Sequence, residues 1–279
     1  MSHPALKPGN HALITGGASG IGLAAAKKFL AMGLNVTIFD RNVDHIRQLL
    51  DKIGDEAHGK MLIADSTDVS DRDQVNAWAE LVLRQGVPDV LMNNAAIGPD
   101  SSALDPANWQ ATLDTNLWGV IYGTQAMVPA MVKSGKPGLV INTGSKQGIT
   151  TPPGNPAYNV SKAGVKAFTE ALQHELRNGP NPAVTAHLLI PGFVWTGLTA
   201  RGQTAKPEAA WTAEQTVDFM LAGVDRGDFY ILCPDNDVPR ALDEKRIAWA
   251  AGDIIENRPP LSRWHPEYAE AFKAFVDKG

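Results

Sequence analysis

Short apolar segments alternate with amphipathic segments along the first two thirds of the 279-residue chain. The apolar segments are often β-branched, and the segments between them, such as residues 74–83 and 163–176, repeat apolar residues at three-to-four spacing. This alternation predicts an α/β fold, in which helices cover both faces of a parallel sheet. We predict strands at residues 11–15, 35–39, 61–64, 90–92, 139–142 and 184–190.

The remainder of the chain is richer in tryptophan, proline and turn signals. A loop or short helices are expected over residues 195–211, a last strand at 228–233, and helices at 239–254 and 267–276. A length of 279 residues fits one large α/β domain better than two. We therefore predict a single domain over residues 1–279, with a core at about 10–233 and a C-terminal extension at 234–279.

Composition and charge argue against several classes of protein. Hydrophobic residues make up 44% of the chain and charged residues 20%, as in ordinary globular proteins, so disorder is not expected. The net charge of −5 argues against a nucleic-acid partner, because phosphate binding favours a basic surface. The single cysteine, Cys233, excludes an internal disulfide and a cysteine-based metal site, and a buried, inert thiol is predicted.

Neither a metal site nor a membrane segment is predicted. The histidines show no zinc-like spacing. The N-terminal segment lacks the apolar region of a signal peptide, and no apolar stretch is long enough to span a membrane. We therefore expect a cytoplasmic protein that has no membrane partner.

A glycine-rich turn, TGGASGIG at residues 15–22, joins the first predicted strand to a helix. Glycines permit a sharp turn and let backbone N–H groups approach a pyrophosphate at the helix N-terminus. A bare glycine-rich turn also occurs in linkers, but here the flanking strand and helix provide the context that the motif requires. The pattern predicts a dinucleotide site on a Rossmann-type, doubly wound parallel sheet in three layers, αβα.

Asp40 ends the second predicted strand, where a carboxylate can accept hydrogen bonds from both hydroxyls of an adenosine ribose. The same charge would repel a 2′-phosphate, so NAD is expected rather than NADP. Arg41 could pair with that phosphate, and otherwise it would stack on adenine or face solvent. Asp68 and Val69 are candidates for contact with the adenine, and a helix N-cap is the alternative for Asp68.

Tyr158 and Lys162 open a predicted helix and lie on one face of it, because they are four residues apart. A free tyrosine titrates near about 10, and both an adjacent ammonium and a nicotinamide cation favour the phenolate. Ser145 follows the fifth strand, and its hydroxyl could hold a substrate oxygen toward Tyr158; a turn serine is the alternative. Asparagine is unfavourable inside a helix, so Asn116 predicts a local kink with a water bound to its carbonyl.

Together these features resemble the short-chain dehydrogenase/reductase superfamily, of the single-domain type. The motifs occur in family order over about residues 10–200. They are TGGASGIG at 15–22, Asp40, Asp68-Val69, NNAA at 93–96, Asn116, Ser145, YNVSK at 158–162 and PGFVWT at 191–196.

The resemblance implies a role for each matching residue. Tyr158 would be the general base in oxidation and the acid in reduction, and Lys162 would bind the nicotinamide ribose and lower the pKa of Tyr158. Ser145 would polarise the substrate oxygen, Asn116 would anchor a water, and Thr196 would bind the carboxamide. The implied cofactor-binding residues are Gly16, Ser19, Gly20, Ile21, Gly22, Asp40, Arg41, Asp68, Val69, Asn94, Ala95, Tyr158, Lys162, Pro191, Gly192, Val194 and Thr196.

The resemblance also places a substrate lid at residues 196–212. Trp195, Leu198 and Trp211 are candidates for one wall, and tryptophan there suits a bulky apolar or aromatic substrate. Packing under a loop is the alternative for them. Candidates for the opposite wall are Gly148, Ile149 and Thr150. Lys146 is expected to be solvated, with a place at the pocket mouth, favouring an acidic substrate, as the alternative.

Two departures from the family pattern are informative. Gly144 stands where the family often has a serine. The chain also lacks the glycine-rich ending that is common in the family, which puts the usual tetramer contacts in doubt. A homodimer or homotetramer is still expected from the resemblance.

The sequence thus predicts an NAD-dependent oxidoreductase that interconverts an alcohol with a ketone or aldehyde. Two alternatives stay open. A non-catalytic NAD(H)-binding regulator would have no need of the tyrosine–lysine pair. A sugar-nucleotide epimerase or dehydratase shares that pair but usually has a larger C-terminal substrate domain.

Overall fold

A computed structural model of the chain describes residues 2–42, 44–46 and 61–277. Its centre is a sheet of seven strands in the order β3-β2-β1-β4-β5-β6-β7, and each neighbouring pair is parallel. The predicted Rossmann-type sheet is confirmed. The strands are β1 (His11–Thr15), β2 (Asn35–Asp40), β3 (Met61–Ser66), β4 (Val90–Asn93), β5 (Gly138–Thr143), β6 (Val184–Ile190) and β7 (Tyr230–Leu232).

Helices connect these strands and continue past the last one. The α-helices of the described residues are α1 (Gly20–Ala31), α2 (Arg72–Gln85), α3 (Trp109–Leu113), α4 (Gly119–Lys133), α5 (Gln147–Thr150), α6 (Pro156–Asn178), α7 (Gly197–Ala200), α8 (Ala213–Arg226), α9 (Arg240–Ile255) and α10 (Ala269–Asp277). A π-helical segment, Asp114–Trp118, joins α3 to α4, and short 3-10 turns at Ser262–Trp264 and Pro266–Tyr268 lead into α10.

An apolar core lies on each face of the sheet. Along β1, Ala12 and Ile14 pack on one face with α1 and α8, whereas Leu13 packs on the other with α2, α4 and α6. Successive strand residues point to opposite faces, so a strand buried on both sides is continuously apolar. This explains the unbroken apolar runs in the sequence and confirms the three-layer αβα arrangement.

The order in which the chain adds strands to the sheet reverses between β1 and β4. Strands β2 and β3 lie on one side of β1, and β4 to β7 lie on the other. In open α/β sheets, the connections on the two sides of such a point diverge and leave a crevice beyond the carboxyl ends of the strands. The motifs at residues 15–22 and 93–96 follow β1 and end β4, so both border this crevice.

The extension after β7 packs around one tryptophan. Trp249 of α9 is buried, its Nε1 donates to Ser262 Oγ at 2.8 Å, and the Arg258 guanidinium stacks on its ring at 3.9 Å. The rings of Phe272 and Phe275 from α10 pack on its edges. The two helices expected at residues 239–254 and 267–276 are therefore present and pack against each other.

None of the helices among the described residues is both long and apolar enough to cross a membrane. Within the same residues, no group of three or more histidine, cysteine or acidic side chains is arranged to hold a metal ion. Cys233 is buried, and burial raises the pKa of its thiol to about 12.

Candidate active site

A cavity of about 590 Å³ lies beyond the carboxyl ends of the strands. One end, which we call the Asp40 end, is lined by Asp40 at the end of β2 and by Asp68 after β3. The other, which we call the Tyr158 end, is lined by Ser145, Tyr158 and Lys162. This volume is within the range of small-molecule and cofactor sites. Most of the residues implied as cofactor-binding line it, namely Gly16, Ser19, Gly20, Ile21, Asp40, Arg41, Asp68, Val69, Asn94, Ala95, Tyr158, Lys162, Pro191, Gly192, Val194 and Thr196.

The glycine-rich turn forms the floor of the cavity. Gly16 and Gly20 have positive φ angles of 64° and 53°, a backbone conformation that favours glycine. Ser19 is the N-cap residue of α1, but its side chain makes no capping hydrogen bond. The first N–H groups of the helix therefore receive no cap from this residue and are available to a ligand. These groups can bind an anion, which fits the pyrophosphate of a dinucleotide.

Gly22 differs from the other glycines of the turn because it does not line the cavity. A Cβ at residue 22 would lie 2.2 Å from the carbonyl oxygen of Gly16. A Cβ at Gly17 would likewise lie 2.6 Å from Ile38 Cγ2. These two glycines let the turn pack closely on the sheet, so the structure gives Gly22 a packing role where a cofactor contact was expected.

The Asp40 carboxylate is held by backbone N–H groups. Oδ2 accepts from Ala18 N at 3.1 Å, and Oδ1 accepts from Asn42 N at 2.9 Å. Each carboxylate oxygen accepts up to two hydrogen bonds, so both keep acceptor capacity for a ligand. The geometry fits a carboxylate that accepts from the two hydroxyls of a ribose.

Arg41 and Asp68 form an ion pair at the rim of the same end. Arg41 Nη1 lies 3.5 Å from Asp68 Oδ2, and the arginine side chain is 64% exposed. Burial alone would raise the pKa of Asp68, but hydrogen bonds from Ser70 and the Arg41 charge outweigh it and lower the pKa. Asp68 does not cap a helix, because the N-cap of α2 is Asp71.

Lys162 is buried behind the Tyr158 end of the cavity, with 2% of its surface exposed. Its Nζ donates to Thr143 O at 2.8 Å and lies 5.7 Å from the centroid of the Tyr158 ring. Burial lowers the pKa of the ammonium to about 8. Both side chains project from one face of α6, whose N-cap residue Asn155 accepts from Tyr158 N at 3.3 Å.

The Tyr158 and Ser145 side chains both line this end of the cavity. Burial raises the pKa of Tyr158, and a side-chain hydrogen bond with Ser145 lowers it by less. The side chains alone thus favour the phenol, even with an ammonium nearby. The expected lowering of this pKa included the charge of a nicotinamide ring, so it stays a prediction.

Asn116 lies in the π-helical segment and is fully buried. A π-helix is a local irregularity of helical hydrogen bonding, which confirms the expected kink at this residue. The Asn116 side chain grips the loop after β4: Oδ1 accepts from Ile97 N at 2.8 Å, and Nδ2 donates to Ile97 O at 2.9 Å. Asn116 does not line the cavity, and its role in binding a water stays a prediction.

The expected substrate wall is only partly present. Leu198 of α7 lines the cavity, whereas Trp195, Gly148 and Ile149 do not. A Cβ at Gly148 would lie 2.5 Å from the carbonyl carbon of Lys162, and Ile149 packs in an apolar cluster with Leu232. These residues support the site from behind.

Two further expectations at this wall need correction. Trp211 packs on the core against Phe219, with ring centroids 5.7 Å apart, so it follows the packing alternative. Lys146 is neither solvated nor at the pocket mouth. Its Nζ lies 2.6 Å from Asp243 and 3.1 Å from Asp235. An ammonium that is largely removed from water requires such acceptors, and these two carboxylates provide them.

The sequence reasoning missed a polar network under the centre of the cavity. Thr143 Oγ1 donates to Asn94 Oδ1 at 3.2 Å, and Asn94 Nδ2 donates to Gly16 O at 3.2 Å. The network ties β5, β4 and the glycine-rich turn together. The available signal was position, since Thr143 and Asn94 stand at or just past the carboxyl ends of predicted strands. Further cavity-lining residues that the sequence reasoning did not name as site residues are Phe39, Thr67, Ile97 and Thr115.

Comparison with known proteins identifies the family. The model of the short chain dehydrogenase family matches residues 10–207. The 3-oxoacyl-(acyl-carrier-protein) reductase FabG of Thermotoga maritima is 37% identical over 198 residues, covering 69% of this chain and 77% of that protein. A short chain dehydrogenase/reductase from Burkholderia phymatum in complex with NAD has a TM-score of 0.80 and 27% identity, covering 93% of this chain and 98% of that one.

A second solved structure, the 3-ketoacyl-(acyl-carrier-protein) reductase from Brucella melitensis complexed with NADH, has a TM-score of 0.68 and 28% identity. The similarity covers 78% of this chain and 91% of that one. The residues that the family model matches include strands β1 to β6, the glycine-rich turn and the tyrosine–lysine helix. The chain therefore belongs to the short-chain dehydrogenase/reductase superfamily and is a nucleotide-binding oxidoreductase that uses a nicotinamide cofactor.

Proposed function

We propose that this protein interconverts an alcohol with a ketone or aldehyde, and that NAD is its cofactor. The observation that carries the proposal is the Tyr158 end of the cavity. There Tyr158 and Ser145 line the cavity together, with a buried ammonium 5.7 Å from the tyrosine ring. This set can bind a substrate oxygen and move one proton to or from it.

Each catalytic residue has a distinct task in this proposal. Ser145 donates a hydrogen bond to the substrate oxygen and holds it beside the Tyr158 hydroxyl. In oxidation Tyr158 takes the hydroxyl proton of the alcohol, and in reduction it returns a proton to the carbonyl oxygen. The bound nicotinamide supplies the chemistry that these residues lack, which is acceptance or donation of the hydride.

Lys162 has donors left for a ligand. An ammonium has three N–H donors, and one of them bonds Thr143 O. The others can bind the nicotinamide ribose, and the positive charge favours the phenolate of Tyr158. Asn116 holds the loop at Ile97 in place, and the carbonyl of Asn116 is the proposed site of a water that carries the proton onward.

The choice of NAD rests on the Asp40 end. The Asp40 carboxylate is fixed by two backbone N–H groups and would meet a 2′-phosphate as a like charge. Arg41 is the residue that would oppose this choice, but its guanidinium is directed toward Asp68 at 3.5 Å. The pairing supports the reading in which Arg41 does not select a phosphate.

Residues 196–212 are the proposed substrate lid within a single domain. Leu198 lines the cavity, and a Cβ at Gly98 would lie 3.2 Å from Leu198 Cδ1. Arg201 at the end of α7 lies 3.2 Å from Asp100 in the loop after β4. The segment therefore reaches across the cavity to the opposite loop and supports an apolar substrate contact at Leu198. Trp211 packs in the core against Phe219, so it does not support a bulky aromatic substrate.

The relatives named as 3-oxoacyl-(acyl-carrier-protein) reductases favour a specific candidate within this class. A 3-oxoacyl group carries a ketone at the β-carbon of the acyl chain, and its reduction gives a 3-hydroxyacyl group, which is an alcohol. A 3-oxoacyl thioester therefore belongs among the substrates to be tested, as the reductive form of the proposed reaction.

The test combines cofactor binding with turnover. When NADH is titrated into the protein, we expect its fluorescence to increase on binding. We also expect NADH to bind with at least tenfold higher affinity than NADPH. A panel of aliphatic and aromatic alcohols with NAD, and of ketones and a 3-oxoacyl thioester with NADH, should then include a substrate. Binding of NADH with no turnover across the panel would return the regulator alternative, and preference for NADPH would reverse the assignment of Asp40.

A further inference from the structure

A buried ion cluster joins the residue after Ser145 to the C-terminal extension. Lys146 Nζ lies 2.6 Å from Asp243 Oδ2 and 3.1 Å from Asp235 Oδ2. The side chains of Lys146, Asp235 and Asp243 are 17%, 7% and 5% exposed, respectively. Removing one partner from an ion pair buried to this degree leaves an uncompensated charge, so the cluster resists displacement.

Each member of the cluster is attached to a different segment. Lys146 is the N-cap residue of α5, and its N–H donates to Pro191 O at 3.3 Å. Asp235 Oδ2 accepts from Phe193 N at 3.2 Å as well as from Lys146. Asp243 lies in the first turn of α9. The cluster thus connects the segment after Ser145, the loop after β6 and the extension.

Gly192 lies directly between this cluster and the cavity. A Cβ at residue 192 would lie 2.6 Å from Asp235 Oδ2 and 2.8 Å from Lys146 Nζ, and Gly192 also lines the cavity. No side chain separates the ions from the cavity wall at this point. A shift of Lys146 or Asp235 would therefore move the wall itself.

We propose that Lys146, Asp235 and Asp243 are positioning residues through which the C-terminal extension sets the placement of Ser145 and of the wall at residues 191–193. Neither Lys146, Asp235 nor Asp243 lines the cavity, so they act through Ser145 and Gly192. The proposal rests on the proposed function for its kinetic test. It assigns the extension after β7 a part in the reaction that packing around Trp249 alone would not require.

Two substitutions test the cluster while keeping the positive charge at residue 146. Asp243→Asn leaves Lys146 paired with Asp235 but removes the negative charge from its link to α9. Lys146→Arg keeps the positive charge but puts a larger planar group where Gly192 leaves little room. The matched controls are Glu244→Gln, in the exposed ion pair with Arg240 on the same helix, and Lys166→Arg, in an i,i+4 pair with Glu170.

The variants are compared by thermal unfolding, by NADH titration and by kcat and KM. We expect Asp243→Asn to lower kcat about tenfold with NADH affinity within twofold, because displacement of a catalytic group acts mainly on rate. We expect Lys146→Arg to weaken NADH binding at least fivefold, because it displaces the wall at Gly192. Both controls should match the wild type in every measurement.

Unchanged kcat in Asp243→Asn together with unchanged NADH affinity in Lys146→Arg would overturn the proposal, whatever happens to the melting temperature. If Asp243→Asn does not fold, Lys146→Arg decides alone through NADH affinity. If the wild type binds NADH but turns over no substrate, the proposed function fails. The positioning proposal is then judged by the NADH affinities of Lys146→Arg and Lys166→Arg, and equal affinities would contradict it.

Discussion

The two ends of the cavity are built differently. At the Asp40 end, Arg41 is exposed, and the Asp40 carboxylate is held by backbone N–H groups at the rim. At the Tyr158 end, Lys162 is buried, and its ammonium bonds a backbone carbonyl. Burial shifts the pKa values of Tyr158 and Lys162, upward and downward respectively.

This difference separates recognition from chemistry. A carboxylate that selects a ribose over a phosphorylated ribose needs only its own charge and a fixed place, and backbone hydrogen bonds hold it in that place. A group that moves a proton needs a pKa that its surroundings can shift, and burial together with a nearby charge can do that. We therefore expect substitutions at the Tyr158 end to change the rate, and substitutions at the Asp40 end to change cofactor affinity.

The largest effect is expected from Tyr158→Phe. Loss of the hydroxyl removes the proton-transfer group, and such groups contribute about 10²–10⁴ in rate. We expect kcat to fall about a thousandfold with NADH affinity within twofold, measured by steady-state kinetics and NADH fluorescence. Tyr268→Phe, in the extension, is the matched control. Full turnover by Tyr158→Phe would contradict the proposed mechanism and remove the contrast between the two ends.

Ser145→Ala is expected to have the next largest effect. The substitution removes the donor to the substrate oxygen, and loss of one such donor lowers kcat about 10²–10³-fold. It also removes the hydrogen bond that lowers the pKa of Tyr158. We therefore expect a lower kcat and a shift of the oxidative pH profile to higher pH. A kcat near that of the wild type would show that Ser145 is a turn serine.

Asp40→Asn tests the other end. The amide keeps the shape of the side chain but loses the charge, and a hydrogen bond to a charged group contributes about 1.5–3 kcal/mol. We expect NADH to bind about tenfold more weakly and NADPH to bind more tightly than in the wild type, with kcat at saturating NADH changed less than threefold. An equal loss in kcat would mean that the two ends are not separable.

The smallest expected effect is on the pH dependence of stability, and the variant Lys162→Met tests it. Burial lowers the pKa of Lys162 from 10.5 to about 8, so between those values the unfolded chain binds more protons than the folded protein. Stability contributed by this group therefore rises with pH from about 8 toward 10.5 and is lost as pH falls back. Each pKa unit corresponds to about 1.4 kcal/mol, so a change of a few degrees in the melting temperature is expected.

The comparison is made between pH 7.5 and 9.5 by thermal unfolding of the wild type and Lys162→Met. The variant should lack the upward slope that the wild type shows. Equal slopes in the two proteins would mean that Lys162 does not titrate in this range and would contradict the lowered pKa.

Local patterns in the sequence predicted much of the fold and many of the residues of the candidate site. The alternation of apolar runs and amphipathic segments predicted the parallel sheet, because strand and helix impose different periods on a chain. The spacing of Tyr158 and Lys162 placed them on one helix face, as the structure has them. The motifs after β1, β2 and β5 lie at one edge because parallel strands end at the same edge of a sheet.

Only the tertiary structure determined the contacts between segments that are distant in the sequence. Lys146 and Asp235 are 89 residues apart in the chain, and no local pattern indicated that the lysine would be buried between carboxylates. The local sequence pattern around Gly148 and Ile149 does not show whether these residues line the cavity or lie in the layer behind it. Trp211 would suit a substrate or a core equally well from its residue type, and packing against Phe219 decided between them.

The sequence by itself determined which elements form and which residues stand at the edge where ligands bind, because local periodicity and strand direction are properties of short segments. The tertiary structure determined which of those side chains face the cavity, because that depends on charge pairing and close packing across the whole chain.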